Sequence, residues 1–335
     1  MKRSLLIHPG FGKTATTWLQ RQVFPNLPHS LYLGKDPFAS EAVQKAHDAL
    51  FPPLYGTTDY RARNSSQFVS EYVAAIKEVL AKASTSIERV VLSDECIVDY
   101  SNFNAELNLN LLRRVSEALA SEFDETRVLF TVRNQESYLS SYFAFDYENL
   151  KSRFRTFDEF MDYGYRHPRE WVFGGIHYDT VFVDAVSQFG NGRVKFLPYE
   201  ALVKDPAGFL GAVADFWGVP PESIVRYATA PKENVNKSKD GLNTVRGMNL
   251  PGSLILQAGS IYRRLGGANW QSSRFHALLK NYRDAAFGRW GRVKHIGVVQ
   301  MGDEARRHVR SMYRESNQAL AALIGADLKE LGWPS

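Results

Sequence analysis

A glycine-rich turn near the start of the chain carries residue types that bind phosphate groups. An apolar segment ends at the turn His8-Pro9-Gly10-Phe11-Gly12, and a predicted helix then opens with Lys13-Thr14-Ala15-Thr16-Thr17. Backbone N–H groups at a helix N-terminus lack intrahelical partners, and the helix dipole places partial positive charge there. Such a terminus suits an anion, and the Lys13 ammonium adds a full charge. The sequence therefore predicts a phosphate-binding loop.

This loop matches a Walker A motif in part. That motif places a glycine six positions before its lysine. Position 7 of this chain is Ile7, so the match is confined to Gly12-Lys13-Thr14. A kinase or nucleotide hydrolase that uses ATP and Mg²⁺ is therefore an alternative interpretation.

A second candidate phosphate ligand follows another apolar segment. Residues 127–133 have strand character and end at Arg133, and Ser141 comes eight residues later in a predicted helix. Ligands of open α/β sheets bind beyond the carboxyl ends of the strands. A guanidinium group offers a phosphate a planar pair of donors, and a hydroxyl group adds a neutral donor. The alternative is that Arg133 caps a surface turn and Ser141 faces solvent.

A third apolar segment, residues 89–93, ends in Asp94-Glu95. A Walker B strand has this form, with the aspartate arranging Mg²⁺ and the glutamate activating water. The plain alternative is an acidic residue that pairs with a neighbouring arginine. Three other histidines have no partners at metal-ligand spacing, so we assign no metal ligands. They are His177, His276 and His295.

Five short apolar runs would have to position these residues. They are residues 4–8, 31–33, 89–93, 127–133 and 193–197, and segments of helical period separate them. Short strands that are mostly not alternating are typical of a buried parallel sheet. The pattern predicts an α/β protein with three α/β/α layers and a central, mostly parallel sheet. Further helices are expected over residues 14–24, 66–81, 104–121, 205–217 and 303–324.

The composition is that of an ordinary globular protein. The chain has 335 residues, of which 44% are hydrophobic and 23% charged, with a net charge of +5. No linker divides it, so we expect one domain, in which residues 232–302 form a substrate or lid region. The single cysteine, Cys96, excludes a disulfide framework and favours a reducing compartment. We find no signal peptide, membrane span or nucleic-acid motif and expect a cytoplasmic protein.

Three stretches together resemble sulfotransferases that use 3′-phosphoadenosine 5′-phosphosulfate (PAPS). Residues 13–19, Lys-Thr-Ala-Thr-Thr-Trp-Leu, resemble their 5′-phosphosulfate loop, although the family usually has glycine at Ala15. Arg133 and Ser141 match their 3′-phosphate motif. Residues 196–206 resemble their strand-to-helix junction, in which we interpret Glu200 as architectural. The resemblance implies a fold similar to that of P-loop NTPases.

The same resemblance implies roles for individual residues. Residues 12–17 would hold the 5′-phosphosulfate, and Trp18 would either stack on the adenine or pack in the core. Glu95 takes the position of the catalytic base, with His8 as a second candidate. Residues 236–241 are similar to a Lys-Ser-Lys-Gly loop of carbohydrate sulfotransferases, although Asp240 interrupts the match. That similarity adds Lys237, Ser238 and Lys239 to the expected cofactor ligands.

We therefore expect a PAPS-dependent sulfotransferase that acts without a metal ion. Lys13 would neutralise charge as adenosine 3′,5′-bisphosphate leaves, and a base would take the proton of the acceptor hydroxyl. The acceptor is expected to be a saccharide or a glycolipid. The alternatives are a P-loop kinase or NTPase, and a nucleotide- or glycan-binding protein without catalytic activity. The sequence does not specify the oligomeric state.

Overall fold

A parallel sheet of five strands forms the centre of the protein. The computed structural model describes residues 3–35, 38–50, 66–98, 105–230, 244–247 and 294–334. The strands of the sheet are β1 (Arg3–His8), β2 (Ser30–Tyr32), β3 (Arg89–Ser93), β4 (Phe123–Val132) and β5 (Val194–Pro198). Their order is β2-β3-β1-β4-β5, and every pairing is parallel. The predicted α/β architecture is confirmed.

Helices connect and cover the strands. The described α-helices are α1 (Thr16–Trp18), α2 (Glu41–Leu50), α3 (Ser66–Lys82), α4 (Ala105–Ala118), α5 (Gln135–Leu150), α6 (Phe157–Arg166), α7 (Trp171–Gly175), α8 (Tyr178–Phe189), α9 (Tyr199–Lys204), α10 (Pro206–Trp217), α11 (Pro221–Val225) and α12 (Asp303–Ile324). None of these helices has the length and apolar character that a membrane span requires.

Two hydrophobic core clusters cover the two faces of the sheet. Successive strand residues point to opposite faces, so Leu5 and Ile7 of β1 enter one cluster and Leu6 enters the other. The same alternation divides Val90 and Val91 of β3. Burial on both faces explains why the strands are continuous apolar runs and not alternating ones. The sheet is thus the middle of three layers.

The sheet brings the carboxyl ends of its strands to one edge. His8, the last residue of β1, lies in register with Ser93, the last residue of β3. Asp94-Glu95 and Arg133 follow the ends of β3 and β4 directly. Residues that are about 40 to 125 positions apart in the sequence therefore come close together at this edge.

The helix expected over residues 14–24 is divided into three parts. It begins at Thr16, because Ala15 has a left-handed backbone conformation, with φ 66° and ψ 21°. It continues as a π-helical turn, Leu19–Val23, and ends in a 3₁₀ turn, Phe24–Asn26. Pro25 cannot donate a hydrogen bond to a continuing α-helix, which explains the end of this segment.

Most of the region expected to act as a lid, residues 232–302, lies outside the described residues. Its described parts include an antiparallel pair of strands, β6 (Thr244–Gly247) and β7 (Lys294–Val298). The backbone of β6 lies beside α5. The expectation of a single domain stays a prediction.

The loop after β1 has an alternating backbone. Lys13 and Ala15 have positive φ angles of 67° and 66°, whereas the φ of Thr14 between them is not positive. Residues other than glycine adopt this conformation at a cost of about 1–2 kcal/mol, because Cβ approaches the following carbonyl oxygen. The family that residues 13–19 resemble usually has glycine at the position of Ala15. The left-handed backbone at this position explains that preference, because glycine adopts it without strain.

We predict that Ala15→Gly does not destabilise the protein and raises the free energy of unfolding by up to about 1 kcal/mol. Glycine relieves the left-handed strain, although it also increases the entropy of the unfolded chain. Ala212 in α10 provides a matched control, since it is half-buried against the same core cluster but lies in a regular helix. Ala212→Gly should cost about 1 kcal/mol. Urea denaturation of both variants measures the difference, and equal losses would contradict the argument.

Candidate active site

The loop between β1 and α1 forms a compact turn over the edge of the sheet. Gly10 has a φ of 31°, and a Cβ atom there would lie 2.7 Å from Cγ2 of Thr16 and 3.0 Å from the His8 ring. The position therefore requires glycine. Alternating φ signs, as at residues 13–15, are typical of backbone nests, in which successive N–H groups can converge on an anion. This backbone is compatible with the predicted phosphate loop, and phosphate binding itself stays a prediction.

The hydroxyl group of Thr14 points into the protein. Thr14 is fully buried, and its Oγ1 donates to the carbonyl oxygen of Phe11 and lies 2.6 Å from Oγ1 of Thr131. The first contact closes the loop on itself, and the second holds the loop onto β4. Thr14 can therefore contribute its backbone N–H to a ligand, whereas its hydroxyl is occupied by structural contacts.

Thr16, Thr17 and Trp18 differ in exposure. Thr16 is buried beside Gly10, and Thr17 is partly exposed. Trp18 is 5% exposed and packs in the second core cluster with Leu19 and other apolar residues. This placement favours the packing interpretation of Trp18 over the adenine-stacking one. Lys237, Ser238 and Lys239 lie outside the described residues.

Arg133 is buried at the end of β4 and contacts the phosphate loop. It is 7% exposed, its Nη1 donates to the Lys13 carbonyl oxygen at 2.9 Å, and its Nε donates to Oγ of Ser137 at 3.0 Å. Its guanidinium group also lies over the Tyr199 ring at 4.8 Å. Burial lowers the pKa of Arg133, although nearby acidic and phenolic groups oppose this effect. No carboxylate in the described part of the chain forms an ion pair with it.

One side of α5 extends this site. Ser137, Ser141 and Phe145 follow one another at four-residue intervals, so they form a row on the helix surface. Phe145 is 53% exposed, and the Lys13 ammonium lies 3.3 Å from the centre of its ring. The sequence analysis identified Ser141 but missed Ser137 and Phe145. The four-residue spacing from Arg133 to Ser137 was the available signal.

Glu95 is a partly exposed carboxylate held from two sides. Its Oε1 lies 3.1 Å from the Lys35 ammonium, and its Oε2 accepts from the Gln20 side-chain amide at 3.0 Å. Burial raises the pKa of Glu95, but the charge of Lys35 and the hydrogen bonds from Gln20 and the backbone outweigh this, so the pKa lies below its ordinary value. Glu95 is therefore ionised at neutral pH.

Asp94 points into the protein and contributes to a different cluster. It is 2% exposed, and its carboxylate lies 3.2 Å from Nε2 of His47 and 3.8 Å from the Lys35 ammonium. A Walker B aspartate must reach a metal ion beside a bound nucleotide. The contacts of Asp94 are instead with α2 and with the segment after β2. No cluster of potential metal ligands occurs among the residues that the structure describes.

His8 is completely buried, and both ring nitrogens face hydroxyl groups. Nδ1 lies 2.8 Å from Oγ of Ser93, and Nε2 lies 3.4 Å from Oγ1 of Thr131. Burial lowers the pKa of His8 to about 4, although the charge of Glu95 opposes the effect. The ring is therefore neutral at neutral pH. Because both nitrogens are engaged, this geometry favours Glu95 over His8 as a base.

Glu200 holds together elements on the far side of Arg133. Its carboxylate accepts from the backbone N–H of Asn134 and from the indole N–H of Trp333, each at 3.0 Å. Burial raises the pKa of Glu200, although these hydrogen bonds and Arg133 oppose it. The contacts fix the C-terminal segment against the start of α5, as expected of an architectural residue.

The arrangement combines the predicted phosphate loop, a buried arginine and an ionised carboxylate at one sheet edge. Such a set can bind a bisphosphate compound and remove a proton from a hydroxyl group. The sequence analysis missed Lys35 and Gln20, which hold Glu95. Neither residue lies in a recognisable motif, and Lys35 is 60 positions from Glu95.

Comparison with solved structures finds a sulfotransferase of similar fold. The chain is similar to a sulfotransferase from Alicyclobacillus acidocaldarius, with a TM-score of 0.51, 11% sequence identity and coverage of 99% of this chain and 98% of the other. A sulfotransferase domain from the curacin biosynthetic pathway gives 0.36 at 15% identity, covering 66% and 75%. One from the Synechococcus PCC 7002 olefin synthase gives 0.35 at 16% identity, covering 69% and 78%.

The sequence matches no curated protein. However, the model of the sulfotransferase family matches residues 10–223, which is more than half of the chain. The match includes the phosphate loop from Gly10 onward, Glu95, Arg133 and Ser141. The chain therefore belongs to the sulfotransferase family, and the protein is a sulfotransferase.

Proposed function

We propose that this sulfotransferase uses PAPS as its donor and transfers the sulfuryl group to a hydroxyl of a carbohydrate or glycolipid. The observation that carries the donor assignment is Arg133. A guanidinium group that is 7% exposed and forms no ion pair among the described residues is a costly feature unless an anion binds to it, and the nearby charge of Glu200 offsets only part of the cost of burial. A 3′-phosphate, held by Arg133 together with Ser137 and Ser141, is such an anion.

The residues of the loop fit the other end of the donor. The N–H groups of residues 13–17 and the Lys13 ammonium would hold the 5′-phosphosulfate. Arg133 donates to the Lys13 carbonyl oxygen, which places the two proposed phosphate sites side by side. PAPS, when bound, supplies a sulfuryl group that is activated by its bond to phosphate.

Glu95 then acts as the general base. The carboxylate takes the proton of the acceptor hydroxyl as the acceptor oxygen forms its bond to sulfur and the bond from sulfur to the phosphate oxygen breaks. Lys13 and the loop N–H groups stabilise the negative charge left on that phosphate oxygen. Because Lys13 and the backbone provide this stabilisation, the proposal needs no metal ion.

The rival ATP–Mg²⁺ interpretation fits the site less well. A P-loop kinase or NTPase places the threonine hydroxyl and the strand-end aspartate on Mg²⁺. Here the Thr14 hydroxyl is bonded to Phe11 and Thr131, and Asp94 faces His47 and Lys35. Both side chains would have to leave buried contacts to reach a metal ion.

An exposed aromatic residue supports the acceptor class. Phe145 lies beside the Lys13 ammonium and is 53% exposed, so an acceptor at the transfer site can place an apolar ring face against it. Sugar rings have such faces. The single cysteine supports a reducing, cytoplasmic compartment for the reaction.

We predict that Arg133→Ala weakens binding of adenosine 3′,5′-bisphosphate by about 10- to 100-fold, because it removes charged hydrogen bonds to the 3′-phosphate. Isothermal titration calorimetry measures this affinity. Arg127→Ala is the matched control, since Arg127 lies in the same strand but bonds to the carbonyl oxygen of Phe216. It should leave the affinity unchanged. Metal-dependent binding of ATP with no response to the bisphosphate would contradict the proposal.

We predict that Glu95→Gln lowers kcat by at least about 100-fold while bisphosphate affinity is kept, because the amide cannot take a proton. His8→Asn should mainly lower thermal stability, since His8 bridges two strands through buried hydrogen bonds. Release of adenosine 3′,5′-bisphosphate from PAPS, measured with a panel of monosaccharides and glycolipids, reports the rates. A normal rate for Glu95→Gln together with a folded, inactive His8→Asn would reassign the base to His8.

A further inference from the structure

We propose that Lys35 is a positioning residue for sulfuryl transfer, which keeps the Glu95 carboxylate ionised and fixed in one orientation. The inference rests on the proposed role of Glu95 as the base. It adds a residue from the segment after β2, a part of the chain in which the sequence shows no motif.

The backbone around Lys35 is fixed to the end of β3. The Lys35 N–H donates to the Ser93 carbonyl oxygen at 2.9 Å, and the Tyr32 hydroxyl donates to the Lys35 carbonyl oxygen at 2.6 Å. A Cβ atom at Gly34 would lie 2.4 Å from the same Ser93 oxygen. The glycine therefore permits a close approach that brings the Lys35 side chain over Asp94 and Glu95.

The Lys35 ammonium lies between two adjacent carboxylates. It is 3.1 Å from Oε1 of Glu95 and 3.8 Å from Oδ1 of Asp94, and its side chain is 35% exposed. Two neighbouring carboxylates repel each other, and without a cation between them one is driven to take a proton. Asp94 is the more buried of the two and also faces His47. Lys35 therefore supplies the charge that allows Glu95 to stay ionised beside Asp94.

The other charged or titratable groups around Glu95 do not replace Lys35. His8, on β1, is neutral at neutral pH for the reasons given above. His47, on α2, and Tyr72, on α3, face Asp94. Gln20, on the π-helical turn, holds the second carboxylate oxygen but carries no charge. Among the described residues, Lys35 is thus the cation in contact with Glu95.

This arrangement has a consequence for the pH dependence of the reaction. A base acts in its ionised form, so the rate falls on the acid side as the carboxylate takes up a proton. Lys35 lowers the pKa of Glu95, and burial raises it. Removing the Lys35 charge leaves burial and Asp94, which both favour the protonated form. The acid limb of the rate profile should then move to higher pH.

The test compares Lys35→Met with Lys35→Arg, which keeps the charge. The rate is the release of adenosine 3′,5′-bisphosphate from PAPS, with water as acceptor where no better one is found, from about pH 3 to about pH 8, so that the acid limb of the wild type falls within the range. Lys35→Met should shift the acid limb upward by about one pH unit or more, because an opposite charge within about 4–6 Å changes a carboxyl pKa by that amount. Lys35→Arg should leave the acid limb of the rate profile at the same pH as in the wild type.

Two controls separate this role from a merely structural one. Lys82→Met removes a lysine that pairs with Glu78 on the exposed surface of α3, so it should not shift the limb. Bisphosphate affinity and thermal melting show whether each variant is folded. Lys35→Gln, which keeps a hydrogen-bond donor without the charge, provides the same comparison if the methionine variant does not fold.

The outcomes distinguish the inference from the function on which it rests. If Glu95→Gln is inactive and the limb of a folded Lys35→Met or Lys35→Gln variant is unshifted, the role of Lys35 is wrong while the role of Glu95 stands. If Glu95→Gln keeps the wild-type rate and profile, the base assignment itself is wrong. An upward shift in Lys35→Met that Lys35→Arg does not show supports the proposal.

Discussion

A chain of buried hydrogen bonds under the phosphate loop sets the geometry of the whole site. The Gln20 amide donates to Ser93, and Ser93 contacts His8, which contacts Thr131; Thr131 in turn contacts Thr14. Counting the available protons shows which group donates in each of these hydrogen bonds. Since the Thr14 hydroxyl donates to the Phe11 carbonyl, it accepts from Thr131. Ser93 accepts from Gln20 and can therefore give its own proton to Nδ1 of His8, which leaves the His8 proton on Nε2 for Thr131.

This series of hydrogen bonds explains why the site has a neutral part and a charged part. A second proton on His8 would reverse the hydrogen bond to Ser93 and leave a charge in the interior, which agrees with its low pKa of about 4. The neutral groups thus join the ends of β1, β3 and β4 under the loop. The charged groups, Lys13, Glu95 and Arg133, lie around this neutral centre.

The sequence was sufficient to predict the sheet and to locate the residues that follow its strands, because both depend on local patterns. Strands buried on both faces are continuous apolar runs, so residues 89–93 and the other strands were recognised with errors of a few residues at their ends. The loop, Arg133 and Glu95 each follow such a run. Lys35 and Gln20 could not be found in this way, since their roles depend on which strand lies beside β3. The late start of the helix expected over residues 14–24 was missed because it follows from the left-handed backbone of Ala15, which the Cβ of that residue disfavours.

Ala15 shows how the loop can keep its form without the usual glycine. Thr14 is anchored to Phe11 and Thr131, and Arg133 holds the carbonyl oxygen of Lys13. With these groups fixed, the two peptide units on either side of Thr14 have little freedom to relax, and positive φ angles at Lys13 and Ala15 follow. The cost of the left-handed conformations is thus offset by buried contacts that anchor the loop to itself, to β4 and to Arg133. The same contacts therefore hold the alternating φ angles at residues 13–15, and the proposed anion binding depends on that backbone.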